Sequence, residues 1–388
     1  MRVLIAQRSL SGIRGAQLVA AEVSKELAER GHEVTVYSPK TGDLAKLMWS
    51  SDVSVITQLR DYPHTPDIIH GQHHLPTMAA LARFPQTPAI YYCHAVQNWV
   101  AAPPLHPNIR QYVMMCEWMV GNAHAQFGLP GSLITALPNF VNINRFSVVR
   151  SPPERLTRAL LFAGPRMPSK DLQALRNACR DNGLTLDCVG NGGEDRRERP
   201  EMFLPEYELV FAIGRSALEA LAAGCAVIPI IPGQAGTLVT QENFDTWSFS
   251  NFSPRHYTSA ATTSSSWLQE QLANYSPQDA AAVTARVRHE RTLDGAVTRL
   301  ESIYAEAAAS AVPEPKATAF APYLEKMADE ADEVWSASLG AWRIKGLEDN
   351  IRRLERELLD LHRRQARPTL GRMLRGIKRL LTGAKKGK

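Results

Sequence analysis

The sequence predicts an α/β fold with two domains, each built on a parallel β-sheet, followed by a C-terminal helical extension. A strand–helix–strand unit opens the chain between Val3 and Tyr37, and such a crossover places its two strands parallel in one sheet. Apolar strand-like segments that end in glycine-containing or basic loops recur in the second half. The length of 388 residues accommodates two full hydrophobic cores and a remainder.

The composition is that of a globular protein in water. Hydrophobic residues make up 44% and charged residues 21% of the chain, and no apolar run reaches the roughly 18 residues that a membrane-spanning helix requires. The first residues enter a strand without the apolar core of a signal peptide, so we expect a cytoplasmic protein. The five cysteines lie in apolar surroundings without paired spacing, which predicts core residues rather than a disulfide framework or a zinc site.

The first domain is predicted to span residues 1–149. Its opening crossover consists of a strand at Val3–Ala6, a helix at 16–29 and a strand at Glu33–Tyr37. Further strands are predicted at 53–57, 67–70, 88–93 and 133–137, and the helical spacing of apolar residues predicts a helix at 108–127.

Two loops at the carboxyl ends of these strands carry candidate binding residues. Gly15 follows the first strand, and His94 follows the strand at 88–93. Ligands of parallel sheets bind outside the carboxyl ends of the strands. We therefore expect Gly15 and His94, together with Gly12 and His70, to face one cleft.

Two other interpretations of the first domain receive little support. Gly12 and Gly15 do not complete the three-glycine fingerprint of a dinucleotide site, and no acidic residue ends the second strand. His70, His73 and His74 are of a ligand type that metals prefer, but no carboxylate stands near them at ligand spacing. We therefore expect no metal site in this domain.

The second domain is predicted at residues 150–310, after a proline-containing linker at 150–155. Its first strand leads into a loop that carries Arg166 and Lys170, and a later strand ends at Gly190. The design of the first domain is thus repeated, with glycine-containing or basic loops at the carboxyl ends of parallel strands. We expect the two domains to face each other across a cleft.

The segment from Gly214 to Ile230 forms a further strand–helix–strand unit of the second domain. An apolar strand ends at Gly214-Arg215-Ser216 and a helix begins there. A tight glycine turn at a helix start leaves backbone N–H groups unpaired, and the helix dipole favours negative charge, so the turn suits a phosphate. Glu219 lies one turn inside, within reach of a ligand's sugar hydroxyl; the alternative is a solvated helix surface.

Residues 311–388 are predicted to form a linker, a short coiled coil and a basic amphipathic tail. Apolar residues alternate at steps of three and four, the period of a coiled coil that could mediate self-association: Ile344, Leu347, Ile351, Leu354, Leu358 and Leu361. After Pro368, a leucine stripe flanked by basic residues suits an anionic membrane surface at the inner face of the membrane. A solvated tail and nucleic acid are the alternatives, and the interleaved leucines favour the membrane.

Together these motifs resemble the family 4-like group of nucleotide-sugar-dependent GT-B glycosyltransferases, over roughly Met1 to Ala308. GT-B proteins have two facing Rossmann-like domains. The resemblance in the first domain rests on Arg14-Gly15-Ala16, Arg30-Gly31-His32-Glu33-Val34, Pro66-Asp67-Ile68-Ile69-His70, Tyr92-Cys93-His94 and Pro138-Asn139-Phe140-Val141-Asn142. In the second domain it rests on Gly164, Arg166 and Lys170, on Val189-Gly190-Asn191-Gly192, and on Gly214 and Glu219.

The resemblance implies transfer of a sugar from a nucleoside diphosphate sugar to an acceptor hydroxyl with retained configuration. The acceptor would be a glycan or a lipid-linked sugar, as in the synthesis of cell-surface polysaccharide or glycolipid, and no nucleic acid is expected. The catalytic residues would be His94, Arg166 and Lys170, and the donor-binding residues Gly15, Gly190, Gly214, Arg215, Ser216 and Glu219. No Asp-X-Asp motif occurs, so we expect no essential metal, and no cofactor besides the donor.

The sequence departs from the group's pattern at one position. The group carries two glutamates separated by seven residues; Glu219 matches the second, but Phe211 stands where the first would contact the donor sugar. Two rival functions follow: a nucleotide-sugar epimerase, which uses the same architecture, and a catalytically degenerate GT-B domain that serves as a membrane-tethered assembly module. The basic loop and the Asn139 motif favour transfer over the epimerase. The presence of Arg166, Lys170, Gly214 and Glu219 together argues against the assembly module, because a scaffold needs none of them.

Overall fold

The computed structural model describes residues 1–12, 15–49, 52–95, 99–162, 167–190, 199–257, 263–312 and 317–328 of the chain. The chain divides into two compact units, Met1–Ala319 and Phe320–Lys388. The predicted coiled coil and basic tail, at 344–388, lie outside the described residues and stay predictions. None of the helices in the described ranges is both long and apolar enough to cross a membrane.

The first sheet lies in the N-terminal half of the larger unit. Its strands are β1 (Arg2–Ala6), β2 (Glu33–Tyr37), β3 (Val53–Ile56), β4 (Ile68–Gly71), β5 (Ala89–Cys93), β6 (Ile109–Met114) and β7 (Ile134–Ala136). All are parallel, in the order β3-β2-β1-β4-β5-β6-β7. Val3, Leu4 and Ile5 of β1, an interior strand, are inaccessible to solvent, as expected for a parallel sheet covered on both faces.

Helices α1 to α4 connect these strands. They are α1 (Gly15–Glu29), α2 (Asp43–Trp49), α3 (His74–Arg83) and α4 (Glu117–Phe127). Helix α1 buries Val19, Val23 and Leu27 in the same core as β1 and β2, because residues four apart lie on one face of a helix. The opening crossover predicted from the sequence is therefore present.

The predicted helix at 108–127 is wrong in its first half, where the chain forms strand β6. Ile109, Tyr112 and Val113 follow a spacing of three and four, which is typical of a helix. Strand β6 lies between β5 and β7 and is largely buried. A strand buried on both faces needs no alternation of apolar and polar residues, so its pattern can imitate helical periodicity.

The second sheet has four parallel strands and follows the predicted repetition of the design. They are β8 (Arg158–Phe162), β9 (Thr185–Val189), β10 (Leu209–Phe211) and β11 (Ala226–Ile228), in the order β11-β10-β8-β9. Strands β12 (Ile230–Ile231) and β13 (Gln234–Ala235) pair antiparallel beside them. Leu160 packs into one core, whereas its neighbours Ala159 and Leu161 pack into another, because successive side chains of a strand point to opposite faces. The α/β class with parallel sheets is confirmed.

Helices α5 to α10 surround the second sheet, and α11 returns to the first. They are α5 (Ser169–Asp181), α6 (Pro200–Phe203), α7 (Gly214–Ala222), α8 (Phe244–Phe249), α9 (Ser265–Ala273), α10 (Pro277–Glu290) and α11 (Leu293–Ala309). Helix α11 buries Val297, Leu300 and Tyr304 in the core of the first sheet. The chain leaves the first domain near Val141 and returns to it near Thr292. These two crossings lie side by side, since Val141 and Thr292 form a β-bridge. The domain boundaries at residues 149 and 310 stay predictions.

Candidate active site

Polar side chains gather at the carboxyl edge of the first sheet. Gln7 follows β1, Gln72 follows β4 and His94 follows β5. These strands are neighbours in the sheet, so their ends meet at one place. Gln7, Gln72 and His70 are inaccessible to solvent, whereas His94 is partly exposed.

Hydrogen bonds join these residues to each other and to α11. His94 Nε2 lies 3.2 Å from Gln72 Oε1, and Gln72 Nε2 lies 3.5 Å from His70 Nε2. His70 Nδ1 lies 2.5 Å from the hydroxyl of Tyr304. The Tyr92 ring packs 4.9 Å from the His94 ring, centroid to centroid. The first domain thus presents an ordered His94 at its edge.

The histidines of this edge are neutral at pH 7. Burial lowers the pKa of His94 to about 3, with a further contribution from the nearby His73 and His70. Burial likewise lowers the pKa of His70 to about 3 and that of His73 to about 4. A neutral imidazole carries one N–H and one lone pair, so His94 can donate one hydrogen bond and accept another. The described residues hold no group of three or more His, Cys, Asp or Glu side chains that suits a metal ion.

On the second sheet, α7 starts from a glycine in the left-handed region. Gly214 has φ +58°, and a Cβ there would lie 3.2 Å from Asn251 Nδ2, so a side chain is disfavoured both by strain and by space. The Gly214 amide donates to the Asn251 carbonyl at 3.0 Å. It is therefore not free for a phosphate, and the candidate donors at this helix start are the amides of Arg215 and Ser216. Asn139 donates to Asn251 Oδ1 at 3.0 Å, which ties the first domain to this turn.

Arg215 lies between two carboxylates. Its Nη2 is 2.5 Å from Glu22 Oε2 on α1, and its Nε is 2.8 Å from Glu219 Oε1, one turn further along α7. The solvated-surface alternative for Glu219 is wrong, since only 3% of this residue is exposed. Burial raises the pKa of Glu219, and the charge of Arg215 opposes that shift. Burial also opposes the charge of Arg215, but Glu22 and Glu219 raise its pKa overall.

The ion pairs continue from Glu22 into the segment before the linker. Arg145 Nη1 donates to Glu22 Oε1 at 2.6 Å, and its Nη2 donates to Glu201 Oε2 on α6 at 2.8 Å. Sequence reasoning missed Glu22, Arg145 and Glu201. One signal was present: Glu22 lies on the face of α1 that Val19 and Val23 bury, and a carboxylate on an apolar helix face needs a partner.

The Arg215 side chain also acts on the edge of the first sheet. Burial raises the pKa of Tyr92, and the charge of Arg215 opposes that shift. The Tyr92 ring itself packs against His94. Of the predicted site residues, Arg215 and Glu219 are brought together by an ion pair, and Arg215 also contacts α1 of the first domain through Glu22.

The other predicted site residues lie at loop ends. Lys170 is exposed in the first turn of α5, and Gly190, with φ +81°, directly follows β9. Gly15 is the exposed first residue of α1, and a Cβ added to it would meet nothing within 4 Å. Crowding therefore does not require a glycine there. Arg166 lies outside the described residues, and its role stays a prediction.

Phe211 at the end of β10 is a core residue. It is inaccessible to solvent and packs with Leu161, Leu209 and Ile228. Its side chain therefore faces the interior of the second domain rather than a ligand. Recognition of a donor sugar, where it occurs, falls to other residues.

Comparison with known proteins shows that the chain is similar to glycosyltransferases, by sequence over its first part and by fold over most of its length. Residues 13–145 match the family described as Glycosyltransferase Family 4, whereas no curated protein matches the chain by sequence. A glycosyltransferase from Rickettsia africae ESF-5 superposes with a TM-score of 0.56 and 12% identity, covering 80% of this chain and 99% of that one. HepE of Anabaena in complex with UDP gives 0.55 and 14%, covering 79% and 100%. The lipopolysaccharide outer core galactosyltransferase WaaB gives 0.51 and 12%, also covering 79% and 100%.

Proposed function

We propose that this chain, a GT-B-fold protein resembling glycosyltransferases of family 4, transfers a sugar from a nucleoside diphosphate sugar to an acceptor hydroxyl. The predicted resemblance to family 4-like GT-B glycosyltransferases is confirmed by the family match and the shared fold. Both indicate a glycosyltransferase. The observation that carries the donor assignment is the meeting of Lys170, the Gly190 turn and the start of α7 at the carboxyl ends of three neighbouring strands. HepE, which shares the fold, was solved with UDP and with UDP-glucose, which supports a nucleotide-sugar donor.

The chemistry of transfer requires stabilisation of the departing diphosphate. Strands β8, β9 and β10 are neighbours, so the start of α5 with Lys170, the Gly190 turn and the start of α7 lie at one edge of the sheet. Fixed positive charge and helix-start amides stabilise developing negative charge without reorganisation. In this proposal Lys170 and Arg166 neutralise the diphosphate, while the amides of Arg215 and Ser216 bind it and Glu219 accepts from the ribose hydroxyls.

The first domain supplies the acceptor side. His94 is neutral, partly exposed and held by Gln72, which suits a residue that positions a hydroxyl by accepting its hydrogen bond. Retention of configuration, a glycan or lipid-linked acceptor, and a role at the cell surface are parts of this proposal. Peripheral membrane attachment through the basic tail, and self-association through the coiled coil, belong to it as well.

The test is a screen of nucleoside diphosphate sugars against the full chain, with thermal stabilisation and nucleotide release as readouts. We expect at least one donor to stabilise the protein and to release its nucleoside diphosphate when an acceptor is present. An epimerised free nucleotide sugar would establish the rival enzyme. Failure of every nucleoside diphosphate to bind in calorimetry would overturn transfer and favour the assembly module.

A further inference from the structure

A path of hydrogen-bonded side chains runs from β1 to α11 and reaches His94. Its members are Gln7, Gln72, His70, Tyr304 and His94. The first four are inaccessible to solvent, whereas His94 is partly exposed. The path is therefore sealed along its length and open at the residue that the proposed function places beside the acceptor.

The orientation of the first amide is fixed by the backbone. The Arg8 amide donates to Gln7 Oε1 at 3.0 Å, and a backbone N–H can only donate. Gln7 Nε2 therefore points the other way, towards the Ala16 carbonyl at 3.3 Å and Gln72 Oε1 at 3.5 Å. The Ala16 carbonyl oxygen can only accept, so its contact with Nε2 supports the same orientation of the Gln7 amide as the contact of Oε1 with the Arg8 amide.

The side-chain amide of Gln72 determines which ring nitrogens of His94 and His70 carry a proton. Gln72 Oε1 can only accept, so His94 Nε2, 3.2 Å away, must carry a proton. Gln72 Nε2 can only donate, so His70 Nε2, 3.5 Å away, must be a lone pair. Neutral His70 then carries its proton on Nδ1 and donates to the Tyr304 hydroxyl at 2.5 Å.

We infer that this path fixes His94 in the Nε2–H tautomer and leaves its lone pair on Nδ1. Gln7, Gln72, His70 and Tyr304 are then positioning residues, since the hydrogen bond at one ring nitrogen determines the protonation of the other. The tautomer itself follows from the hydrogen bonds alone, whereas its use in accepting a hydrogen bond from the acceptor hydroxyl rests on the proposed function. The low pKa of His94 agrees with a neutral ring. The inference also assigns a purpose to α11, which carries Tyr304 back to the first sheet.

The first experiment reads the tautomer directly. In full-length protein with ¹⁵N-labelled histidine, assigned by a His94→Gln variant, we expect His94 Nε2 to give a pyrrole-type and Nδ1 a pyridine-type nitrogen shift at pH 7. In Gln72→Met, which keeps the side-chain length and removes both polar atoms, we expect averaged shifts of a tautomer mixture. A pyridine-type Nε2 in the parent protein, or unchanged shifts in Gln72→Met, would overturn the inference.

Two tyrosines offer a matched pair for the distal end of the path. Tyr304→Phe removes the acceptor of the His70 proton, whereas Tyr92→Phe alters a buried ring that packs on both histidines but whose hydroxyl bonds to the Leu137 carbonyl. We expect Tyr304→Phe to change the nitrogen shifts of His70 and His94, and Tyr92→Phe to leave both tautomers in place. Equal effects of the two variants would show that the rings pack the site without directing protons.

Kinetics then connect the tautomer to transfer. We expect Gln72→Met to lower kcat by about tenfold, the effect of losing one hydrogen bond that matters in the transition state, with KM within about twofold. The nitrogen shifts need no substrate, so a confirmed tautomer in a protein that transfers no sugar would refute the proposed function alone. A changed tautomer with full kcat would refute the positioning role alone.

Discussion

Arg215 and Glu22 join the two sheets of the larger unit through a buried ion pair. Arg215 Nη2 on α7 lies 2.5 Å from Glu22 Oε2 on α1, and each residue is at least 90% buried. Burial has removed both charges from water, and each compensates the other for that loss. If one charge is removed, the remaining buried charge is uncompensated and the folded state is strongly destabilised. Glu22 bonds to Arg145 as well, so one carboxylate holds two guanidinium groups.

We predict that Glu22→Gln lowers the free energy of unfolding by about 3 kcal/mol. The substitution removes the carboxylate that both Arg145 and Arg215 contact, so the positive charges of these buried or partly buried guanidinium groups are no longer fully compensated. Urea denaturation at pH 7 measures the change. The matched control is Glu29→Gln on the same helix, where the glutamate is exposed and pairs with the exposed Lys25, so we expect a change of less than about 0.5 kcal/mol. Equal losses in the two variants would contradict the buried network.

We predict that Glu219→Gln weakens nucleoside diphosphate binding by about 10- to 100-fold, the loss expected when a charged acceptor of sugar hydroxyls is removed. Isothermal titration calorimetry with UDP and the other nucleoside diphosphates provides the measurement. Glu22→Gln serves as the comparison, because it removes the other carboxylate from Arg215 and leaves Glu219 in place. If both variants weaken binding equally, Glu219 acts through Arg215 and does not contact the ligand.

We predict that Lys170→Ala lowers kcat/KM for sugar transfer by about 100-fold, because an exposed ammonium at the start of α5 is available to neutralise the departing diphosphate. Arg180→Ala is the control, since Arg180 is exposed at the opposite end of the same helix. Nucleotide release under saturating acceptor gives both values. Undiminished turnover in Lys170→Ala would remove this residue from the mechanism.

The buried histidines predict a loss of stability on mild acidification. Burial lowers the pKa of His70 and His94 to about 3 and that of His73 and His106 to about 4 in the folded protein, whereas unfolded histidine titrates near 6.5. Below about pH 6.5 the unfolded state therefore binds more protons, and stability falls as the pH drops towards 4. Each such histidine contributes at most about 1.4 kcal/mol per pH unit.

Denaturation curves at pH 7, 6 and 5 test this slope. The slope of the free energy of unfolding against pH measures how many more protons the unfolded state binds. His106→Gln, away from the proposed site, should lower this number by about one. His289→Gln replaces an exposed histidine on α10 and should leave the slope unchanged. A parent protein of constant stability between pH 7 and 5 would show that the imidazoles are not held neutral by burial.

The fold was largely predictable because its signals are local, while the site was predictable only in part. The opening crossover and the Gly214 turn follow from strand patterns and a positive φ that favours glycine. Strand β6 was mistaken for a helix because complete burial erases the alternation of a strand. The pairing of Arg215 with Glu22 joins residues 193 positions apart, and nothing in the neighbourhood of either residue specifies the other. Glu219 was expected to bind a ligand; its partner Arg215 lies four residues earlier on the same helix, a spacing visible in the sequence, whereas the second partner of Arg215 became visible only once α1 and α7 were placed.

The basic tail yields the last prediction, which concerns residues outside the described part of the chain. Truncation after Arg367 removes the leucine stripe together with Arg372, Arg375, Lys378, Arg379, Lys385, Lys386 and Lys388. We expect this truncation to abolish association with anionic liposomes while nucleoside diphosphate binding is unchanged, because each basic residue near such a surface contributes about 1 kcal/mol and the leucines add apolar burial. Co-sedimentation with anionic and with neutral vesicles measures it.

A second truncation separates the two contributions of the tail. Ending the chain after Ala384 removes three lysines, Lys385, Lys386 and Lys388, but keeps the leucine stripe. If the stripe inserts into the interface, this shorter deletion weakens binding to anionic liposomes without abolishing it, and part of the remaining binding survives high salt. If the tail is only a solvated basic segment, binding of the full chain disappears in high salt. Unchanged sedimentation after removal of residues 368–388 would exclude the tail as a membrane anchor.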